Sequence, residues 1–451
     1  FCRRLSIGKL LSNAFHQSIN GGIMNKQVDE IKKEQVVEEV MVSDTICAVP
    51  WMHLNFEPNG KVVPCCLTSA HDYFAGDLNE DSIEEIWNSN NMKTLRKEMI
   101  DGKEPAICNK CFDREKVAGT SGRTHHNKNF PQVLELIPTI TEEDGACTTM
   151  DLRYWDFRFS NLCNFKCRSC GPRYSSAWVP DAKKLNWITE QEKVSFIKQT
   201  EKTTNVDFLK SSVDKVESIY FAGGEPLMMP EHWEILDMLV EKKRFDVKIQ
   251  YNTNMSILGY KKKKVLDYWQ QWEFGMIEVW PSIDEIGERG ELIRAGTVWK
   301  TVAKNIKEVA QYPNIIMRPG LTIGAWNVFR IPEIVEELIA LGAIKKYEYI
   351  KHNNWFINLL ETPEHYHVSI WPDKQRQIII DHLKEWIVDY GKEHNTSIQG
   401  IMNHILSELE KPWDKEGAKK FVKITEQLDE IRGEDTYAII PEMKIIRNAV
   451  K

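Results

Sequence analysis

The sequence predicts an α/β fold: a partial (β/α)6 barrel of the TIM type, preceded by a small α+β domain and followed by a mostly helical C-terminal region. From residue 150 onward, short β-rich runs alternate with longer segments that have apolar residues at three- and four-residue spacing. This alternation is typical of parallel βα units. Six such units are too few for a closed barrel of eight and suit an open, partial one.

The composition narrows the class of protein. The chain has 451 residues, 42% hydrophobic and 28% charged, and no apolar run near the roughly 18 residues that suggest a spanning helix. A net charge of −7 offers no positive field for a nucleic acid. The ten cysteines are clustered and follow no clear secretory signal. We therefore expect a cytoplasmic metalloprotein with neither a nucleic-acid nor a membrane partner.

The chain divides into five expected segments. The first is a flexible leader, and because Met24 is a plausible start, its first 23 residues are expected to be non-native. A compact unit with two cysteine groups follows, and then a polar, irregular linker precedes the barrel. The expected segments are the leader 1–44, the cysteine-rich unit 45–118, the linker 119–149, the barrel 150–353 and the helical region 354–451.

Six β-rich runs define the expected barrel, and function is expected where these strands end, at the C-terminal face. The runs are residues 151–160, 216–223, 247–254, 276–283, 314–323 and 345–352.

The most informative motif is CNFKCRSC, which places Cys163, Cys167 and Cys170 directly after the first expected strand. Three closely spaced thiolates can hold three irons of a cubane cluster and leave the fourth iron open to N and O atoms of a small molecule. A zinc site with a fourth ligand from elsewhere, or buried thiols that merely cluster, are the alternatives.

The motif resembles the CxxxCxxC signature of the radical S-adenosylmethionine (SAM) superfamily, which follows the first strand of a partial (β/α)6 barrel. The resemblance implies that Cys163, Cys167 and Cys170 are catalytic, that they ligate a [4Fe–4S] cluster, and that SAM chelates the unique iron through its amino and carboxylate groups. One departure is Ser169, where members of the superfamily often have an aromatic residue. The nearest aromatic residue is Phe165.

A second motif ends the second strand. Gly223, Gly224, Glu225 and Pro226 are similar to the GGEP motif of the superfamily, whose backbone and Glu bind the SAM amino group. Glycines let the backbone approach a ligand closely, and a carboxylate can pair with an ammonium group.

Further cofactor contacts are expected at the ends of the next strands, where alternate residues share a face. Their position suggests SAM or substrate contacts, and the arginine could neutralise the SAM carboxylate. Turn and cap chemistry is the plainer interpretation of these residues. They are Asn252, Asn254, Ser282, Asp284 and Arg294, with weaker candidates at Gly320, Thr322 and Ile323.

A second cysteine set lies before the barrel. Cys47 and Cys65 flank a predicted hairpin, and Cys108 and Cys111 form a CxxC after a predicted helix. Such a closed four-thiolate site fits either Zn²⁺ or an iron–sulfur cluster. The pattern resembles the twitch domain, the short form of the SPASM domain, here placed before the barrel. The resemblance implies one auxiliary [4Fe–4S] cluster. Cys66 is expected to be a buried small hydrophobe.

Together, the resemblances imply a radical SAM enzyme that reductively cleaves SAM to a 5′-deoxyadenosyl radical, which abstracts hydrogen from a substrate. The auxiliary cluster favours a net oxidation or cross-link of a peptide or small metabolite. The implied partners are SAM, that substrate, and a one-electron donor such as a flavodoxin or ferredoxin. The alternative is a zinc-stabilised binding protein in which both cysteine groups are structural and no catalysis occurs.

Overall fold

The architecture is a mixed α/β fold around a largely parallel sheet. The computed structural model describes residues 43–68, 75–188, 207–345, 355–394 and 398–451. Nearly all of the expected leader and of the sixth expected strand, 345–352, lies outside these residues. The described strands are β1 His53–Phe56, β2 Lys61–Val63, β3 Gly76–Asp77, β4 Tyr154–Phe157, β5 Lys166–Cys167, β6 Ser218–Phe221, β7 Lys248–Thr253, β8 Gly259–Tyr260, β9 Lys263–Lys264, β10 Ile277–Pro281, β11 Arg294–Ala295, β12 Ile315–Met317, β13 Gly320–Ile323 and β14 Phe356–Leu359.

Helices connect the strands and dominate the last hundred residues. None of the described helices is long and apolar enough to cross a membrane. They are α1 Ile83–Trp87, α2 Asn90–Ile100, α3 Asn109–Ala118, α4 Gly122–Asn129, α5 Pro131–Ile140, α6 Val179–Lys184, α7 Asp207–Ser212, α8 Pro230–Glu241, α9 Val265–Trp269, α10 Gly287–Ile293, α11 Trp299–Val309, α12 Ile331–Ala340, α13 Asp373–His394, α14 Gln399–Leu409, α15 Lys415–Arg432, α16 Thr436–Ile439 and α17 Met443–Val450.

The main sheet has eight strands in the order β12-β10-β7-β6-β4-β1-β2-β3. Strands β4, β6, β7, β10 and β12 run parallel to their neighbours. One row of the register, Trp155, Ile219, Ile249 and Ile277, is almost completely buried. Because this row is apolar, it explains why these segments pair in one sheet and why that face of the sheet is covered.

The cysteine-rich unit is continuous with that sheet. Strand β1 pairs in parallel with β4 over four residue pairs, from His53↔Tyr154 to Phe56↔Phe157. Strands β2 and β3 then add on in antiparallel orientation. The hairpin predicted from the NFEPNGKVVP sequence therefore forms and extends the parallel sheet at its β4 edge.

The fifth expected strand, residues 314–323, is two strands in the structure. Strand β12 ends at Met317 and stays in the main sheet, whereas β13 begins at Gly320 and pairs in parallel with β14. Pro319 separates them, because a proline has no N–H to donate to a strand ladder. A single isolated bridge, Ser282↔Gly320, still connects β13 to the end of β10.

The irregular linker expected at residues 119–149 is a second difference. This stretch contains helices α4 and α5. Ser121 caps α4 in a capping box with Thr124, and Arg123 donates to the backbone carbonyls of Asp44 and Ile46. The sequence misled because α4 is polar on most of its surface, and a polar helix resembles a loop by composition alone. The proposed boundaries of the domains remain a prediction.

The contacts of Asn88 connect residues 119–149 to the rest of the fold. Its side chain accepts from the Cys147 N–H at 2.8 Å and donates to the Cys147 carbonyl at 3.0 Å. It also accepts from the buried Arg96 at 3.1 Å.

We expect Asn88→Ala to lower the free energy of unfolding by about 1–3 kcal/mol, because buried polar groups lose their partners. Thermal unfolding measures this, with the exposed Glu84→Ala as the control; equal stability of the two variants would contradict it.

Candidate functional site

The CNFKCRSC loop is shaped by hydrogen bonds from three directions. Within it, β5 pairs antiparallel with β11 in the register Cys167↔Arg294. The Cys163 N–H donates to Ser176 Oγ at 3.3 Å, and the Trp178 indole N–H donates to the Cys167 carbonyl at 2.7 Å. The loop therefore has a defined conformation in which its backbone is bonded to later parts of the chain.

The three thiols of this loop lie close enough together to influence one another. The pKa of Cys163 is raised to about 11 and that of Cys167 to about 12, chiefly by burial, and neighbouring cysteines of the loop contribute in the same direction. Burial likewise raises the pKa of Cys170. Arg294 opposes the rise at all three. The structure thus gathers three thiols beside one cation, a setting in which a bound metal would favour the thiolates.

The GGEP turn packs directly against this loop. The Glu225 N–H donates to the Leu162 carbonyl at 2.7 Å. A Cβ added to Gly224 would lie 2.2 Å from that carbonyl oxygen, and Gly223 has a φ of +103°. Pro226 opens a buried helical turn at Pro226–Met228. Gly224 is therefore required by the close approach of the turn to the residue before Cys163, and Gly223 is required by its backbone conformation.

Glu225 points into the protein at the strand end. Its carboxylate accepts from Thr253 Oγ1 and from the Asn254 N–H, each at 2.8 Å. Burial raises its pKa to about 7, although these hydrogen bonds act in the opposite direction. Its charge in turn raises the pKa of Cys163. The carboxylate therefore lies near the cysteine loop, where the expected contact with an ammonium group stays a prediction.

Asn254 fastens the end of β7 to the cysteine loop. Its Nδ2 donates to Asn164 Oδ1 at 2.9 Å, and its Oδ1 accepts from Ser256 Oγ at 2.6 Å. Asn252, two residues earlier, does not join this cluster and lies within β7, beside Trp280 of β10.

The remaining expected contacts form a second small cluster. The Ser282 N–H donates to the Thr253 carbonyl at 2.9 Å. Arg294 forms a 2.9 Å ion pair with Asp284, so its charge is partly neutralised inside the protein. The Arg294 guanidinium also lies 6.0 Å from the ring of Phe165, which is 1% exposed. Asp284 and Arg294 thus reach the cysteine loop together, and no finding tests the SAM contacts expected of them.

The second cysteine set also comes together. Burial raises the pKa of Cys47, and the nearby Cys65, Cys108 and Cys111 raise it further. Cys108 responds in the same way to Cys65 and Cys111, with a pKa of about 12. Segments that are far apart in sequence thus deliver four thiols to one place.

The spacing of the sulfur atoms separates two kinds of metal site. Zn–S bonds of about 2.3 Å require neighbouring sulfurs roughly 3.8 Å apart around one tetrahedral ion. Among the residues that the structure describes, no three cysteine sulfurs lie within 4.8 Å of one another. In the described residues, neither cysteine set therefore places three sulfurs at the spacing that one tetrahedral zinc ion requires.

The prediction for Cys66 is wrong. Its side chain is exposed, not buried. Asp156 and Arg158 lie close enough to interact electrostatically with its sulfur.

Sequence reasoning missed a C-terminal clamp on the cysteine loop. Arg168, within the loop, is fully buried and donates to Asp429 at 2.6 Å and to Glu434 at 2.5 Å. Arg432 and Lys166 both form ion pairs with Asp181. Nothing in the motif signals the partners Asp429, Arg432 and Glu434, because they lie more than 200 residues away along the chain.

A second missed group connects the hairpin to the loop. Glu57, just after β1, accepts from Arg158 and Arg173 at 3.2 Å each and from the Tyr174 hydroxyl at 2.8 Å. Arg158 follows β4, and Arg173 follows the last loop cysteine. One carboxylate thus joins both cysteine-bearing parts of the chain.

Two comparisons of the sequence with known proteins find matches. The family model of SPASM, an iron–sulfur cluster-binding domain, matches residues 47–112. A GTP 3',8-cyclase from Aliarcobacter butzleri (strain RM4018) is 24% identical over 228 residues. The match covers 50% of this chain and only 59% of the relative, so the chain spans less than two thirds of it.

Two solved structures of SuiB from Streptococcus suis share the outline at low similarity. The structure bound to S-adenosylmethionine is 12% identical with a TM-score of 0.34, and covers 79% of this chain and 70% of SuiB. The structure bound to precursor peptide SuiA is 12% identical with a TM-score of 0.35, and covers 76% and 69%. At this level of similarity, the two SuiB structures support no inference about the present chain.

The cysteine triad, the GGEP turn and the sequence matches support a radical SAM enzyme as the class of this protein. The match at residues 47–112 further supports a SPASM-like iron–sulfur domain within it. The same matches support [4Fe–4S] clusters and SAM as its cofactors.

The C-terminal clamp can be tested by removing its carboxylates. Asp429→Asn/Glu434→Gln leaves Arg168 buried without a counter-charge, a change that costs about 3–5 kcal/mol when one side of a buried pair is lost. We expect the cysteine loop to lose its metal first, so roughly half of the iron should be removed faster by a chelator. Absorbance at the iron–sulfur band measures this rate.

The matched control for the clamp is Glu442→Gln. It breaks an ion pair with Arg289 that joins the same C-terminal region to α10 without touching the cysteine loop. Equal chelation rates in the control and the double variant would show that the clamp has no particular role at the loop.

Proposed function

We propose that the protein uses SAM to start a radical reaction on a substrate, with a net oxidation or a cross-link as the outcome. Cys163, Cys167 and Cys170 would hold the [4Fe–4S] cluster that binds SAM. When reduced, such a cluster supplies an electron that cleaves SAM to methionine and a 5′-deoxyadenosyl radical, which abstracts a hydrogen atom. The observation that carries the proposal is the gathering of the three loop thiols beside Arg294 and the GGEP turn.

The arrangement of the strands supports a partial barrel as the fold that encloses the site of this reaction. Five parallel strands lie side by side, and β13 with β14 continues them through the bridge at Ser282. The cysteine loop, the GGEP turn and Asn254 all follow the C-terminal ends of strands, where active sites of such barrels lie. An electron donor such as a flavodoxin or ferredoxin is part of the proposal.

The second cysteine set supports an electron-transfer role. Cys47, Cys65, Cys108 and Cys111 would fully ligate one auxiliary [4Fe–4S] cluster and leave no iron open to a substrate. A closed cluster of this kind can accept an electron from a substrate radical, which a net oxidation requires and a redox-neutral isomerisation does not.

Metal content tests the proposal against the zinc-stabilised binding protein. After anaerobic purification and reconstitution, we expect about eight irons per chain, and about four in the triple variant Cys163→Ala/Cys167→Ala/Cys170→Ala. Cys147→Ala, which alters a buried cysteine outside both sets, is the control and should keep all of the iron. Zinc in place of iron in every variant would establish the alternative.

The roles of the two cysteine sets can be separated by SAM cleavage. In the absence of substrate and with dithionite as reductant, Cys108→Ala/Cys111→Ala should still form 5′-deoxyadenosine at a rate within about 3-fold of the unaltered enzyme. The loop triple variant should form none. Chromatography of the nucleoside measures both rates, and loss of cleavage in the Cys108/Cys111 variant alone would refute the separate roles.

A further inference from the structure

On strands β6 and β7, one face of the parallel sheet is covered less completely than the other. Burial alternates along β6 and β7: Ile219, Phe221 and Tyr251 are fully buried, whereas Tyr220 and Asn252 remain partly accessible. Strands of a parallel sheet that is covered on both sides are buried without alternation. The accessible face therefore borders a space that a ligand can enter.

Near the strand ends, this open face carries polar atoms that have no partner in the protein. Asn252 and Trp280 are neighbours in the register of β7 and β10. Asn252 Oδ1 and Trp280 Nε1 are both buried and make no hydrogen bond within the described part of the chain. One of these atoms is an acceptor and the other is a donor. Buried polar groups are rarely left unpaired, so the pair indicates a ligand.

An aromatic wall stands beside the two polar atoms. The rings of Trp280 and Phe356 meet edge to face with centroids 4.6 Å apart. Gly320 makes room for this contact, because a Cβ there would lie 2.7 Å from Phe356 Cζ. The wall is thus formed where β10, β13 and β14 come together.

The charges around the open face are already paired. Arg158 and Arg173 both form ion pairs with Glu57, at 3.2 Å. Arg318, which follows β12, forms an ion pair with Glu278 at 3.6 Å. Binding of a polyphosphate needs cations that are free to take up the negative charge. These three arginines instead have carboxylate partners, which disfavours a nucleoside triphosphate.

We propose that Asn252 and Trp280 bind an uncharged substrate group that presents a hydrogen-bond donor and an acceptor on one edge, as a carboxamide or a backbone amide does. The group lies against the wall of Trp280 and Phe356. This inference rests on the proposed function and names the chemistry of its substrate. It also reassigns Asn252 from SAM to substrate.

The probe is N-acetyl-L-phenylalaninamide, which carries an amide edge and an aromatic ring. Ligand-observed NMR with the reconstituted full chain measures its Kd, and GTP is titrated in parallel. We expect Trp280→Phe and Asn252→Leu each to weaken binding by about 3- to 10-fold, the effect of one hydrogen bond between uncharged groups. The control, Trp187→Phe, alters an exposed tryptophan and should leave the Kd unchanged.

A second readout separates binding from structure. Because the Trp280 N–H has no partner in the described protein, Trp280→Phe should unfold at a temperature no lower than the unaltered chain. SAM binding should be unchanged in Asn252→Leu. Equal probe affinity in all variants, tighter binding of GTP than of the amide, or loss of SAM binding in Asn252→Leu would overturn the inference. If the binding results contradict this inference while the protein keeps its full iron content and still cleaves SAM, only the inference is refuted and the proposed function stands.

Discussion

The parallel pairing of β1 with β4 is the constraint on which the arrangement of the molecule depends. Four residue pairs make the SPASM-like hairpin part of the same sheet as the barrel strands. Glu57 then binds Arg158 and Arg173 at the end of that pairing. Because a sheet is stiff along its hydrogen-bonded direction, the two cysteine sites cannot move independently. The proposed transfer of an electron between the sites would require such a fixed separation.

The open face of the sheet lies where these two parts meet. Cys66, next to Cys65, is influenced by Asp156 and Arg158 on that face, whereas Cys163 is influenced by Glu225 at the strand ends. Groups near the open face thus act on cysteines in both parts of the chain. The proposed reaction, which begins at one centre and delivers an electron to the other, would need a substrate within reach of both cysteine sets.

Local spacing made the cysteine loop and the GGEP turn predictable, because all of their defining residues lie within a few positions of one another. The parallel strands were predictable from alternating composition. Two features were not: Pro319 divides an apparently continuous strand, and the polar sequence of helix α4 makes residues 119–149 look like a linker. The partners of Arg168 and Glu57 could not be predicted at all, because the chain brings together residues whose separation carries no periodic signal.

The position of the clamp has a consequence for synthesis. Arg168 and Asp429 are 261 residues apart, and Glu434 follows a few residues later. While the chain emerges from a ribosome, the cysteine loop is complete long before its counter-charges exist. Arg168 therefore gains these two carboxylate partners only after the chain has been synthesised through Glu434. The N-terminal cysteine set is complete well before that point, so it can fold before the loop acquires the clamp.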